Sequence, residues 1–420
     1  MPRQIPIYFL ALSFTLCISC QTSKFQKSVY SQLMGIEKQH QNHMGLLVYD
    51  LESKKTLLKY KENTLFVPAS NMKIVTLYAA LENLGDSLLM FKYKKDARGI
   101  CITGQANPTL LHPYFDNSRS LNFLKSNGNI TYDSSNFYGE YYGYGWAWED
   151  YADSYQAEIS PLPIYGNVVW FNESKAKSAV MPSYFENNIQ NKTNRNIARE
   201  PAKNTFYAVS KESTQVPFIT SAITNVGILE QAIGQKISLG SCGNLQSLKP
   251  FYSSKADSVY RKMMFESDNM LAEHLLLQAS QKYTDSLSTT LAIQKIRNKL
   301  LPGTAMRWVD GAGLSRYNLI SPQTLVGILD NMQSKHGFDV VKQLFPQVGM
   351  SGTLKTASSI SLPIYAKTGS LGGVYNLSGY LISAKGKKLV FSYMCNNTLR
   401  PLREIKAEMI KTLEQVIATN

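Results

Sequence analysis

The residues best suited to chemistry in this sequence are Ser70 and Lys73, in the stretch Pro68-Ala69-Ser70-Asn71-Met72-Lys73. A helix that begins near Ser70 would place both side chains on one face of its first turn. A hydroxyl becomes a useful nucleophile when a base takes its proton, and an amine can do this if its surroundings keep it neutral. The free N–H groups and positive dipole end of a helix N-terminus would stabilise negative charge there.

The same spacing also fits a purely structural role, because serine is a common N-cap of helices. Ile74 and Leu77 begin an apolar stripe at helical spacing, so a helix is predicted to start at or near Ser70. A second Ser-x-x-Lys pair, Ser174 and Lys177, has polar neighbours and no apolar helical stripe after it. The motif alone leaves a nucleophile and an N-cap equally open.

Two further motifs could take part in the same chemistry. Ser267-Asp268-Asn269 offers a hydroxyl and an amide before an apolar helical stretch, and Lys367-Thr368-Gly369-Ser370 offers a cation and hydroxyls on a predicted strand. Ser-x-Asn is a weak signal alone because it recurs at Ser134-Ser135-Asn136, whereas Lys-Thr-Gly occurs once. In this order, the three motifs form the signature of penicillin-binding proteins and class A β-lactamases.

The predicted elements place these motifs in an α+β fold. Strand-like apolar runs occur at both ends of the chain, at 45–50, 56–60, 365–370, 379–383 and 388–395. They predict one antiparallel sheet built from both ends of the sequence, followed by a C-terminal helix. The stretch between is rich in Tyr, Asn, Ser and Gly. The predicted domains are a signal peptide at 1–20, a catalytic domain at 21–90 and 253–420, and a β-rich insert of one or two modules at 91–252.

The sequence resembles the low-molecular-mass D-alanyl-D-alanine carboxypeptidase/endopeptidase family of penicillin-binding proteins, which carries a long insert between its first two motifs. The resemblance covers nearly all of the mature chain. Its supporting stretches are Val67-Pro68-Ala69-Ser70, Asn107-Pro108-Thr109-Leu110, Tyr144-Gly145-Trp146-Ala147-Trp148, Asp310-Gly311-Ala312-Gly313-Leu314-Ser315-Arg316 and Ser351-Gly352-Thr353-Leu354-Lys355. The resemblance implies a serine β-lactamase/transpeptidase-like domain, an antiparallel sheet flanked by helices, with an inserted β-rich domain.

The resemblance also implies a role for each catalytic residue. Ser70 would attack the carbonyl between two terminal D-alanines and form an acyl-enzyme, while Lys73 takes its proton. Burial and the nearby cation of Lys367 would keep Lys73 neutral. Ser267 would relay a proton to the leaving amine, and Asn269 would bind the peptide backbone and orient Lys73.

The remaining implied residues bind substrate. Lys367 and Thr368 would hold the terminal carboxylate, Gly369 would keep the strand open to substrate, and the N–H groups of Ser70 and Ser370 would form the oxyanion hole. Asp133 and Arg316 are expected to bind the charged end of the stem peptide's diamino acid. The expected partners are therefore peptidoglycan stem peptides and β-lactam antibiotics, with no metal or cofactor.

Two alternative functions fit the same motifs. A class A β-lactamase needs a glutamate that activates the deacylating water, between the second and third motifs, and the sequence has no glutamate between Glu273 and Glu404. This favours a penicillin target that deacylates slowly. A catalytically inactive peptidoglycan-binding module would be expected to have lost one of the three motifs, and all three are intact.

The N-terminus predicts export. Arg3 precedes an apolar run, and Cys17-Ile18-Ser19-Cys20 resembles a bacterial lipoprotein cleavage box, although Cys17 stands where leucine is usual. Cys20 is the predicted lipidation site, which would place the protein in the cell envelope on the periplasmic side. Beyond Leu16 no apolar run reaches membrane-spanning length, so a lipid anchor is the expected membrane attachment.

Composition adds weaker constraints. The 420 residues are 44% hydrophobic and carry a net charge of +14, which fits a globular protein in an anionic environment. No stripe of interleaved arginines and aromatics predicts nucleic-acid binding. Cys101, Cys242 and Cys395 are expected to be buried free thiols. The aromatic run 142–148 is predicted to pack within a loop, rather than to form a carbohydrate-stacking platform.

Overall fold

The structure is a computed structural model that describes residues 8–97, 99–174, 177–190, 198–207 and 214–420, and side chains from residue 24 onward except 172–179. The chain divides into two compact units. Unit 1 contains Met1–Asn71 and Leu319–Asn420, and unit 2 contains Met72–Asn318. The predicted signal peptide and Cys20 fall where side chains are not described.

The helices and strands follow in chain order. The helices are α1 Tyr8–His40, α2 Met72–Asn83, α3 Ser118–Lys125, α4 Ala222–Ile233, α5 Ala256–Glu266, α6 Asn269–Ser280, α7 Thr289–Leu300, α8 Pro322–His336, α9 Phe338–Lys342 and α10 Leu402–Thr419. The strands are β1 His43–Asp50, β2 Lys55–Tyr60, β3 Ser87–Asp96, β4 Gly99–Gly104, β5 Ile130–Asp133, β6 Val168–Ser174, β7 Lys177–Met181, β8 Ile189–Gln190, β9 Phe206–Tyr207, β10 Thr214–Pro217, β11 Ile237–Leu239, β12 Lys249–Lys255, β13 Ile364–Leu371, β14 Val374–Ile382 and β15 Lys388–Asn396.

Unit 1 is built on the sheet that the sequence predicts from both chain ends. Its strand order is β13-β14-β15-β1-β2, and every neighbouring pair is antiparallel. The N-terminal strand β1 pairs with β15 from His43 opposite Asn396 to Asp50 opposite Leu389. The predicted fold class is confirmed here, since the strand bearing Lys367 and Thr368 lies at the edge of this sheet.

Helices cover both faces of the sheet, which is why its central strands are apolar on both sides. One face packs against Val29 and Leu33 of α1 and a stripe on α10 that includes Met409 and Leu413. Helix α8 packs on the other side, where the Tyr380 hydroxyl donates to the carbonyl of Leu329 (2.8 Å). A serine N-cap and a proline at the first helical position start α8.

Unit 2 contains a mixed five-stranded sheet in the order β11-β5-β4-β3-β12, in which β4, β5 and β11 run parallel. A three-stranded sheet, β10-β6-β7, and the short pair β8-β9 lie in the same unit. Helices α3 and α4 also lie in this unit, and α3 was not predicted from sequence. Its eight residues bury only Ser120 and Leu124, which is too short a stripe to distinguish from loop.

The helical part of unit 2 carries the first two motifs. Helix α2 is buried from Met72 to Ala80 and packs against α6, whose residues from Met270 to Ser280 are all buried. The predicted α-helix start is shifted slightly, because a 3-10 turn at Ala69–Asn71 precedes α2 in the chain. Ser70 therefore lies in that turn.

The expectation of three free thiols was wrong for two of them. Cys101 on β4 and Cys242, just beyond β11, form a disulfide across 141 residues of sequence, with a Cα–Cα distance of 5.5 Å. The parallel alignment of β4, β5 and β11 brings them together, a pairing that sequence spacing does not reveal. Cys395 is a buried free thiol, as expected.

In the part of the chain that the structure describes, no helix combines the length and apolar character needed to cross a membrane. The domain bounds drawn from the sequence, 21–90 with 253–420 and an insert at 91–252, stay a prediction. The division into compact units follows backbone contacts and does not test which residues form a functional domain.

Candidate active site

Within unit 1, two asparagine side chains hold the turn that carries Ser70. One belongs to the turn itself and the other to the neighbouring strand β14. Asn71 donates from Nδ2 to the carbonyl of Lys367 (2.8 Å), and Asn376 on β14 donates to the carbonyls of Val67 (2.9 Å) and Pro68 (2.8 Å). These bonds add side-chain donors to backbone carbonyls of the turn and of β13, where the Pro68 carbonyl also accepts from the N–H of Asn71 (3.2 Å). Ser70 is half-buried on a turn that is fixed against β13 and β14.

Gly369 has a spatial reason to be glycine. A Cβ at this position would lie 2.4 Å from the carbonyl oxygen of Pro68 and 3.1 Å from the amide nitrogen of Asn71. The Lys-Thr-Gly strand therefore approaches the Ser70 turn backbone to backbone. Ser370, the next residue, is exposed at the end of β13.

The other two residues of this motif have defined environments. The fully buried Lys367 amine donates to the carbonyl of Thr368 (2.8 Å). The Thr368 hydroxyl is paired with the hydroxyl of Thr353 (2.9 Å). Thr353 was not singled out from the sequence as a site residue, although it stands in the quoted stretch 351–355.

Within unit 2, Lys73 and Asn269 are in direct contact. The Lys73 amine donates to Asn269 Oδ1 (2.6 Å) and to the carbonyl of Ala312 (2.8 Å), and the side chain is fully buried. Burial lowers the pKa of Lys73 to about 8, although Asp268, Asp310 and Glu273 act in the opposite direction. Burial therefore lowers the pKa of Lys73 as expected. The further lowering of this pKa expected from the Lys367 cation stays a prediction.

Ser267 and Asn269 lie on a sharp connection between α5 and α6. Ser267 ends α5 in the left-handed region, with a φ of 58°, which is uncommon for a residue with a Cβ. Asp268 is the N-cap of α6 and accepts from the N–H of Leu271 (2.9 Å), so neither Ser267 nor Asn269 has the capping role. Asn269 donates from Nδ2 to the carbonyl of Tyr155 (2.9 Å), which fixes the amide orientation.

The two predicted diamino-acid ligands differ in setting. Asp133 ends β5 and accepts from the N–H of Ser135 (2.9 Å) and of Cys242 (2.7 Å). Burial works to raise the pKa of Asp133, but these hydrogen bonds lower it overall. The structure thus joins Asp133 to the backbone beside the disulfide. Arg316 is exposed on the turn that follows Asp310.

Asp310 organises that turn and the aromatic run. Its carboxylate is buried and accepts hydrogen bonds from Gly313 N (2.7 Å), Ser315 N (2.6 Å), Asn318 Nδ2 (2.8 Å) and Trp146 Nε1 (2.9 Å). The prediction of packed loop aromatics is correct for Trp146 but wrong for Tyr144, which is 67% exposed, and Trp148, which is 80% exposed. Exposed and buried aromatics cannot be distinguished by residue type alone.

Six residues with the contacts described above were not predicted from sequence as site residues. In unit 1 they are Asn71, Thr353 and Asn376, and in unit 2 they are Glu273, Asp310 and Ala312. Asn376 gives a usable signal, because asparagine is unfavourable inside an apolar strand and must there serve another purpose. Glu273 gives a similar one, as a carboxyl group within the apolar stripe of α6.

Comparison with known proteins adds independent observations. A family model described as the D-Ala-D-Ala carboxypeptidase 3 (S13) family matches residues 26–223 and 247–416. The D-alanyl-D-alanine carboxypeptidase DacB of Haemophilus influenzae is 24% identical to this chain, over 91% of this chain and 91% of its own length. The residues matched by the family model include all three motifs.

Solved structures share the fold. The crystal structure of penicillin binding protein 4 (dacB) from Haemophilus influenzae superposes with a TM-score of 0.72 at 21% identity, covering 91% of this chain and 99% of that chain. A predatory endopeptidase from Bdellovibrio bacteriovorus, acylated by penicillin G and bound to an immunity protein, superposes with a TM-score of 0.52 at 14% identity. It covers 89% of this chain and 93% of that chain.

The burial of Lys73 predicts a stability cost that depends on pH. The folded-state pKa of about 8 lies below the ordinary value of 10.5, so the unfolded chain binds more protons between these values. The contribution of Lys73 to the free energy of unfolding should therefore rise with pH across this window. The stability advantage of Lys73→Met over wild type should shrink by about 2 kcal/mol between about pH 7 and pH 10, measured by urea unfolding.

The hydrogen bonds lost in the variant change its unfolding free energy by the same amount at both pH values. Comparing the variant-to-wild-type difference at the two pH values therefore removes their contribution. Lys59→Met removes an exposed lysine and serves as the control, for which no such change is expected. A Lys73→Met difference that is constant with pH would mean that the amine is not desolvated.

Proposed function

The chain belongs to the D-Ala-D-Ala carboxypeptidase 3 (S13) family and is a serine-type D-Ala-D-Ala carboxypeptidase, and we propose that it acts on peptidoglycan stem peptides through an acyl-enzyme on Ser70. The observation that carries this mechanism is the buried amine of Lys73. A pKa of about 8 in place of 10.5 raises its neutral fraction about 300-fold at neutral pH. A base is thereby available three residues after the nucleophile.

In the first step, Lys73 takes the hydroxyl proton while Ser70 Oγ bonds to the carbonyl carbon of the penultimate D-alanine. The N–H groups of Ser70 and Ser370 stabilise the oxyanion of the tetrahedral intermediate. The bond to the terminal D-alanine then breaks, and the leaving amine receives its proton through Ser267. Asn269 keeps Lys73 oriented, a role supported by their 2.6 Å hydrogen bond.

In the second step, water attacks the ester carbon, the bond to Ser70 Oγ breaks, and Ser70 regains a proton. The products are a shortened stem peptide with a new carboxylate and free D-alanine.

Substrate recognition follows from the charges of the same motifs. Lys367 and Thr368 bind the terminal carboxylate of the substrate. Gly369 leaves the strand's backbone free of a side chain where it approaches the serine turn. Arg316, exposed on its turn, binds the carboxylate of the diamino acid. Asp133 is the proposed ligand for the amino group of the diamino acid, although its oxygens already accept backbone N–H groups and would have to share them.

A D,D-endopeptidase activity is the second candidate, because a structural neighbour is a penicillin-acylated endopeptidase. Carboxypeptidase and endopeptidase both cleave the peptide bond that follows a D-alanine. The group released is a terminal D-alanine in the first reaction and the cross-linked peptide in the second. A β-lactamase would differ in deacylating penicillin rapidly.

The proposed location is the periplasmic side of the cell envelope, with Cys20 lipidated and left as the N-terminal residue after removal of residues 1–19. The disulfide between Cys101 and Cys242 supports export, because such bonds persist in oxidising compartments.

Covalent labelling by penicillin tests the nucleophile. A fluorescent penicillin should label the purified protein, and Ser70→Ala should abolish labelling, because no oxygen remains to form the ester. The matched control is Ser174→Ala, which alters the second Ser-x-x-Lys pair and should leave labelling unchanged. Labelling of Ser70→Ala would show that another residue is acylated.

The substrate is tested by product release. A synthetic stem pentapeptide should lose D-alanine, detected by a D-amino-acid oxidase assay, and Lys367→Ala should lower kcat/KM by about 10²-fold through loss of a charged contact to the carboxylate. Digestion of cross-linked sacculi should also remove peptide dimers if the endopeptidase activity is present. Rapid penicillin turnover without D-alanine release would instead identify a β-lactamase.

Membrane anchoring is tested in the producing cell. The full-length chain should sediment with membranes and carry acyl groups on Cys20 by mass spectrometry, while Cys20→Ala should be recovered in the soluble envelope fraction. An unacylated wild type in that soluble fraction would contradict the lipid anchor and leave simple export.

A further inference from the structure

Glu273 is a buried carboxyl group next to the catalytic lysine, and the mechanism above does not use it. It lies on α6 one turn after Asn269 and is almost completely buried. Its Oε1 accepts from the N–H of Ala312 (2.7 Å). Burying a carboxyl group costs free energy, so its presence beside the lysine calls for a compensating role.

Ala312 connects Glu273 to Lys73. The N–H of Ala312 donates to Glu273, and the carbonyl of the same residue accepts from the Lys73 amine (2.8 Å). One residue earlier, the carbonyl of Gly311 accepts from the Thr76 hydroxyl (2.7 Å). The turn is thus held between α2, through Lys73 and Thr76, and α6, through Glu273.

The turn also lies directly on α6. A Cβ at Gly311 would lie 2.9 Å from the carbonyl oxygen of Ala272, so the two backbones are in close contact. The turn therefore packs tightly on α6, and the hydrogen bond from the Ala312 N–H to Glu273 helps to hold the carbonyl that accepts from Lys73.

The charged groups around Glu273 come from three elements. Lys73 faces it from α2 and Asp310 from the turn, while Asp268 at the start of α6 acts on Lys73. Burial and then Asp310 raise the pKa of Glu273 to about 8, against the N–H groups of Gly311 and Ala312 and the charge of Lys73. Glu273 and Lys73 therefore change charge in the same pH range.

We propose that Glu273 is a positioning residue of this carboxypeptidase, which holds the Ala312 carbonyl on the Lys73 amine and sets the charge of that amine through its own protonation. This inference rests on the proposed role of Lys73 as the base. A protonated Glu273 places no negative charge beside Lys73, so it does not raise the pKa of the amine, and the neutral form that takes the serine proton appears at lower pH. Once Glu273 ionises, its negative charge favours the ammonium form of Lys73. The neutral amine then forms only at higher pH.

The test is the pH dependence of acylation by fluorescent penicillin, in wild type, Glu273→Gln and Glu273→Ala. Glutamine keeps an oxygen for the Ala312 N–H but cannot ionise, so the rising limb of the rate profile should move to lower pH by about half a unit to one unit. The Glu273→Ala variant also loses the hydrogen bond from the Ala312 N–H. Its maximal acylation rate should therefore fall about tenfold below that of the Glu273→Gln variant.

Glu158→Gln is the matched control. Glu158 is another buried glutamate of unit 2, and it accepts from the N–H and hydroxyl of Thr220 outside the lysine network. Its profile should coincide with that of wild type. If the Glu273→Gln profile also coincides with wild type, Glu273 does not set the charge of Lys73 and the inference is overturned.

Infrared titration of the wild-type protein gives a second measurement that needs no variant to fold. A carboxyl group that stays protonated above about pH 6 should be detected, because ordinary carboxyl groups have ionised by then. The absence of such a group would overturn the inference while penicillin labelling and D-alanine release stayed intact. Loss of wild-type labelling and release would instead overturn the proposed function.

Discussion

The chemistry of this protein depends on keeping one amine out of water. Lys73 is fully buried, and its hydrogen bonds to Asn269 and Ala312 replace only part of the hydration that it loses. The resulting drop in pKa turns a residue that would be a permanent cation on the surface into a base. The same burial weakens folding, so the rest of unit 2 must supply the stability. Helices α2 and α6, which carry Lys73 and Asn269, pack against each other.

Polar groups buried around the site are held mainly by backbone. Asn71 and Asn376 bind carbonyls of the Ser70 turn and of β13, Asp310 accepts four donors, and Glu273 binds the Ala312 N–H. Buried polar networks of this kind fix one arrangement, because any alternative leaves groups unpaired. In unit 1 this fixation is possible because strands from both ends of the chain join in one sheet.

The incorrect predictions have a common cause. Cys101 and Cys242 were expected to be free, and Tyr144 and Trp148 were expected to be packed. In each case residue type and spacing carry no information about which distant segment lies alongside. The contacts of Asp133 could not be read from sequence either, because its oxygens accept from backbone N–H groups beside the disulfide, while its role as a ligand stays a prediction. Local patterns of period two or 3.6 were reliable, as in β1, β15 and α10, because burial of one face imposes them directly.

The sequence by itself determined the three motifs, their order, the antiparallel sheet from both chain ends and the helix that follows Ser70. These depend on residue identity and on local periodicity, which a single chain displays. Only the tertiary structure decided that Asp268 caps α6, that Ser267 adopts a left-handed conformation, and that Ala312, 239 residues away, holds Lys73. It also revealed Glu273 beside the lysine. The physical reason is that a pKa, a desolvated charge and a buried carboxyl group are properties of surroundings assembled from distant parts of the chain. Ser70 and Lys73 were recognisable as a pair, but the basicity of Lys73 was set by folding.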